Sequence, residues 1–211
     1  MVRRRKNIHG PVALPSRHWR SASALHAVYE LNEHVLDVLA RLAAGAAKNL
    51  KLEIVSRYRD LWARLDATAR QRAARSPVLL LDVHFKNEEW WRGALSPGGA
   101  RLRSVPSSES FPSRWAAELL RQTLMLAWTT ARADARAAIM MFGMSPGVAH
   151  QMAGLTPPII GSLASHHRYE LCPRWARAFE FWQMLLLAAQ TDRGEVLYEM
   201  SLYSLQLLAA S

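Results

Sequence analysis

Apolar residues recur at intervals of three and four along most of this chain, and that spacing restricts the possible folds more than any motif it carries. Leu25, Val28, Tyr29, Asn32, Val35, Leu36, Leu39 and Leu42 fall along one side of a helix, and Gly45 stands where a left-handed residue closes one. Ile54, Val55, Tyr58, Leu61, Trp62 and Leu65 repeat the pattern in a second helix that ends before Ser76-Pro77. A long helix is expected from about Arg114 to Met141, ended by Gly143. Pro173 is expected to open another, through Trp175, Phe179, Trp182, Leu185 and Leu186, and a last helix runs from Glu195 through Val196, Met200 and Tyr203 to Leu207. The expected class is all-α: a multi-helix globular protein with a basic N-terminal arm and a helix-turn-helix-like pair near 145–166.

Two stretches interrupt the helical pattern. Val78 to Phe85, "VLLLDVHF", is short and bounded by Pro77 and Asn87, so it reads as a lone strand or a buried extended segment without an evident partner. Asn87 then caps a short helix whose Glu88 and Glu89 suit the positive end of the helix dipole. Residues 96–113 are dense in Pro, Gly and Ser and read as a linker or long loop. The expected organisation is an arm at 1–20, a helical part at 21–95, the linker, and a second helical part at 114–211.

With 211 residues, half of them hydrophobic, the chain has ample material for a buried core. One cysteine excludes an intramolecular disulfide framework and a Cys-rich zinc site, and it fits a reducing, cytoplasmic setting. The N-terminus lacks the apolar core of a secretory signal, and no run reaches the roughly 18 apolar residues of a membrane span. No membrane role is expected.

The charge is unevenly distributed. Arg3, Arg4, Arg5, Lys6, Arg17 and Arg20 give the first twenty residues a net +6 without an acid, whereas four arginines face five acids from Gly143 onward. A basic front of this kind attracts polyanions by Coulomb attraction and counterion release, DNA first among them. These six residues are the candidate DNA contacts; a solubilising terminus is the alternative.

Catalytic constellations are thin. His26, Glu30, Glu33 and His34 can share a helix face, but a solvated polar face explains them as well as a metal site does. His84 near Asp82, with Glu88 and Glu89 downstream, is a second acid–base cluster without evident convergence. Cys172 lies among apolar neighbours and reads as a buried thiol, and His166-His167 as the polar end of a helix. There is no phosphate-binding glycine loop, nucleophile elbow or zinc-protease motif. Neither an enzyme, a cofactor nor a metal is expected.

Gly143 to His167, "GMSPGVAHQMAGLTPPIIGSLASHH", holds two helix starts, Ser145-Pro146 and Thr156-Pro157, each with an oxygen for the cap and a proline at the first helical position. The stretch from Ala138 to Cys172 resembles the FlhD family, the partners of FlhC in the flagellar transcriptional activator of proteobacteria. Gly143, Ala149, Ala153, Leu155, Thr156, Leu163, Ala164 and Cys172 carry the resemblance. It implies a helical bacterial regulator that oligomerises and joins a DNA-bound complex. Yet Gly143 to His167 contains no Lys, Arg, Asp or Glu, so the term that dominates DNA affinity is missing there. The unit is therefore expected to pack or assemble, with Met144, Val148, Met152, Ile159 and Ile160, together with Trp90 and Trp91, as candidate interface residues. A protein–protein adaptor without nucleic-acid binding is the alternative function.

Overall fold

The computed structural model describes residues 17–45, 52–99, 105–107, 109–191 and 193–210. Arg3, Arg4, Arg5 and Lys6 lie outside the described residues. In chain order the elements are α1 (Arg17–Ala44), α2 (Glu53–Arg57), α3 (Arg59–Ala63), α4 (Ala67–Ala74), β1 (Leu81–Asp82), α5 (Glu88–Leu95) and α6 (Ser113–Ala133). They continue as α7 (Ala135–Phe142), α8 (Pro146–Ala153), α9 (Pro157–His166), β2 (Cys172–Pro173), α10 (Phe179–Gln190) and α11 (Gly194–Ala210). The fold is all-α.

The two long helices α1 and α6 pack on each other and form the spine. Val28, Val35, Leu36 and Leu39 of α1, and Ala116, Leu119, Leu120 and Leu124 of α6, are buried at the spacing their sequence shows. Helices α2 to α4 lie against α1, α10 covers α3 and α4, and α11 lies against α10. On the other side α7, α8 and α9 pack on α6, and α5 rests on α8. One apolar cluster runs through all of it, from Val28 to Met200, and includes Phe111 inside the expected linker.

Val78 to Phe85 threads the middle of the molecule. Val78, Leu79, Leu80, Leu81, Val83 and Phe85 are buried, although only Leu81 and Asp82 form a ladder, antiparallel to Pro173 and Cys172. The missing partner of this segment is therefore supplied about ninety residues later in the chain. Buried backbone groups must be paired, and two side chains supply part of the pairing. Asn32 Nδ2 donates to the carbonyls of Ala74 (3.3 Å), Ser76 (3.4 Å) and Val78 (3.1 Å), while its Oδ1 accepts from the Leu80 N–H (2.8 Å). The Arg174 guanidinium donates to the carbonyls of Leu79 (2.8 Å), Leu81 (2.8 Å) and Phe142 (2.7 Å).

Several expected boundaries move. The helix foreseen over 114–141 breaks at Asp134, whose carboxylate accepts from the N–H groups of Arg136 (2.9 Å) and Ala137 (3.2 Å) and starts α7 afresh. The second helix is three short ones, with Asp66 capping α4 through the Ala69 N–H (2.7 Å). Pro173 opens no helix: it lies in β2, Trp175 takes φ 53°, and α10 begins at Phe179. Helix α1 begins at Arg17, so Arg17 and Arg20 belong to a helix and not to the arm.

Candidate functional site

The charge-free unit at 143–167 is built as two helices joined by Gly154 to Thr156, each packed on α6. Gly143 ends α7 at φ 64°, a conformation that favours glycine, and a Cβ there would also strike Leu208. Ser145 caps α8 by accepting from the Val148 N–H (3.1 Å). The Thr156 hydroxyl makes no such bond on α9.

A helix N-terminus is where a protein most readily receives a phosphate. Here the α8 terminus is already taken: the Glu88 carboxylate accepts from Ser145 Oγ (2.6 Å) and from the Gly147 N–H (3.2 Å). A Cβ at Gly147 would overlap that carboxylate and displace it. The α9 terminus carries Pro157 and Pro158 and so lacks two of its N–H donors. Pro157, Pro158 and Ile159 are exposed, so this end of the unit presents apolar, uncharged surface.

A second site surrounds the two-stranded ladder. Asp82, His84, Lys86, Glu109, Cys172 and Arg177 line a cleft of about 410 Å³. The two non-glycine residues with positive φ among the described residues, His84 (51°) and Trp175 (53°), both stand at this cleft. Each sits in a conformation costing on the order of 1 kcal/mol. His84 Nε2 lies 2.9 Å from Glu170 Oε2, and the imidazole rests 4.7 Å from the Trp90 ring. Tryptophan 90 in turn meets the buried His167 edge to face at 5.4 Å. Burial holds the His167 imidazole below its ordinary range, opposed by the Gly99 carbonyl, and its Nε2 has no hydrogen-bond partner.

The candidate cluster of His84 with Asp82 does not converge. Asp82 faces Arg174 at 3.4 Å, and His84 is paired with Glu170. Burial, together with the negative charge of Asp82 and Glu109, pushes the Cys172 thiol up to about 12, which leaves no thiolate at neutral pH. Burial also pulls the Arg174 guanidinium down, with Asp82 opposing, and its donors are committed to carbonyls. Lys86 donates to the Leu208 carbonyl (2.6 Å) and Arg177 to Glu109 (2.6 Å). What this cleft offers chemically is one imidazole–carboxylate pair on a strained support. The remaining ions at its wall are tied to the fold.

The other expected residues are scattered. His26 pairs with Glu30 at 3.5 Å on the surface, and His34 Nδ1 meets Gln122 Oε1 at 2.9 Å, so their shared face divides. Among the described residues no three His, Cys, Asp or Glu side chains converge on a metal position. Trp91, Met144, Val148, Met152 and Ile160 are buried in the chain's own core, Trp90 is half-buried, and Ile159 is exposed.

Besides Ile159, Val105 and Met140, the exposed large apolar residues among those described lie on the helices nearest the C-terminus. Met184 and Leu187 of α10 and Tyr198, Leu202 and Tyr203 of α11 face solvent. A signal was present: α11 is apolar in almost every direction, which marks a helix that needs cover on more than one side. No described helix is long and apolar enough to cross a membrane. The chain matches no protein-family model, no curated protein and no solved structure.

Proposed function

We propose that the chain is a bacterial transcriptional regulator that grips DNA with its basic front and takes its place in an oligomeric complex through its helical second half. The observation that carries this reading is the start of α1. Its first turn contains Arg17 and Arg20 and no acid, so cations stand at the positive end of the helix dipole, an arrangement that disfavours the helix by itself. A bound phosphate reverses the sign of that term. In the stretch of α1 that follows, no residue from Ala22 to Ala27 is buried, and burial starts at Val28.

Arg3, Arg4, Arg5 and Lys6 precede this end in sequence and extend the same basic field. The occupied terminus of α8 and the proline-blocked terminus of α9 favour this front over the 143–167 pair as the DNA contact. The resemblance of 138–172 to FlhD supports the regulator class. An adaptor without nucleic-acid binding is the second reading, favoured by the exposed apolar residues of α10 and α11.

Anisotropy of a labelled duplex, titrated across a salt series, tests the proposal. Six cations engaging phosphates give a log–log salt slope near −5, about −0.9 for each contact. Deleting residues 1–20 leaves the core intact and is expected to lower affinity about 100-fold and flatten the slope. Unchanged affinity and slope in the deletion would overturn the assignment and leave the adaptor.

A further inference from the structure

Helix α11 buries a single stripe, Met200, Ser204 and Leu208, against the rest of the molecule. Tyr198, Leu202, Leu205 and Ala209 follow at steps of four, three and four, the spacing of a two-helix seam. This row lies about 130° round the helix from the buried stripe, counting 3.6 residues per turn. Tyr198 is 67% exposed and Leu202 is 44% exposed; Leu205 is half-buried and Ala209 is exposed. Tyr198, Leu202 and Ala209 are thus open to solvent, and Leu205 is partly covered.

Two features of the row say what fits it. Residue size falls along it, from Tyr198 through two leucines to Ala209. Charge is confined to its start: Glu195 and Glu199 are the acidic residues of α11, and residues 194–211 contain no Lys, Arg or His. A parallel second copy would set Tyr198 against Tyr198 and stack the glutamates on each other. An antiparallel copy sets Tyr198 against Ala209 and Leu202 against Leu205, so the largest residue of the row meets the smallest and leucine meets leucine. It also brings each glutamate-bearing, positive end of the dipole beside the uncharged, negative end of the other helix. The two Glu199 carboxylates then stand about 13 Å apart along the axis, beyond the screening length at physiological salt.

We infer that the covering partner is a second copy of this chain, bound through α11 in an antiparallel, two-fold contact centred between Leu202 and Leu205. The contact is isologous and therefore closes at two copies. Met184 and Leu187 of α10, the helix α11 packs on, are further exposed apolar residues of the same hairpin. The inference rests on the assembly half of the function proposed above and not on nucleic-acid contact.

Sedimentation of the full chain without DNA reads the association. The expected species has twice the 23.8 kDa chain mass and dissociates on dilution. Leu202→Glu is expected to raise the dissociation constant about 100-fold while far-UV circular dichroism stays unchanged, because the position is a solvent-facing one. Orientation is read by disulfide trapping in a Cys172→Ser background. Chains carrying Tyr198→Cys and chains carrying Ala209→Cys are expected to cross-link when mixed, and neither type with itself. A chain that is monomeric at every concentration, a dimer indifferent to Leu202→Glu, or self-linking of the Tyr198→Cys chain alone overturns the inference. DNA affinity that depends on residues 1–20 is scored separately, so loss of the dimer and loss of the DNA reading give different results.

Discussion

The Arg174 guanidinium reaches carbonyls from two separate parts of the chain, Leu79 and Leu81 on the threaded segment and Phe142 at the end of α7. A planar fork can serve three acceptors in fixed directions, whereas an ammonium is a point charge with rotating donors. Arg174→Lys is therefore expected to cost about 2–3 kcal/mol, since at least one buried carbonyl loses its donor. A urea titration in which Arg174→Lys keeps the wild-type midpoint would show that the fork is dispensable. Asn32 has the same duty from the opposite side, bonding four backbone groups at zero exposure. In the sequence, Asn32 is one polar position on an apolar helical face and Arg174 is one cation between Pro173 and Trp175. Neither shows its role there, because the groups they satisfy lie more than forty and more than ninety residues away for most of these bonds.

Among the elements, those whose ends depend on local chemistry were readable and those broken by distant chemistry were not. Asn87 caps α5, Ser145 caps α8 and Gly143 closes α7 with the residue types that such positions require. The closing of the α8 terminus by Glu88 could not be read, since Glu88 already had a sufficient local reason to stand in the first turn of α5. That closure has a mechanical signature at Gly147. Replacing glycine by alanine in a helix ordinarily gains about 0.5–1 kcal/mol. Here the new Cβ displaces the Glu88 carboxylate, so Gly147→Ala is expected to destabilise by about 1–2 kcal/mol. In a Glu88→Ala background the same change is expected to become neutral or favourable. A double-mutant cycle showing simple additivity would remove Glu88 as the cap of α8.

Across the whole molecule, one core joins the parts on either side of residues 96–113. Helices α1 and α6 pack directly, and Phe111 contributes its ring to the shared cluster. A shared core predicts one cooperative unfolding transition. Tryptophan fluorescence and far-UV circular dichroism are expected to give coincident denaturation curves; two separated midpoints would mean that the halves fold independently. The helical class, most of the apolar faces and the uneven charge are legible in the amino-acid order alone, because helical periodicity, caps and net charge are properties of neighbours a few residues apart. That Val78 to Phe85 is a central strap held by Asn32 and Arg174, that the α8 terminus is sealed, and that α10 and α11 carry five of the exposed apolar residues emerges only once the chain is folded. Those outcomes depend on which distant groups meet, and burial in the core decides that for Trp91, Met144, Val148, Met152 and Ile160 as much as for the strap.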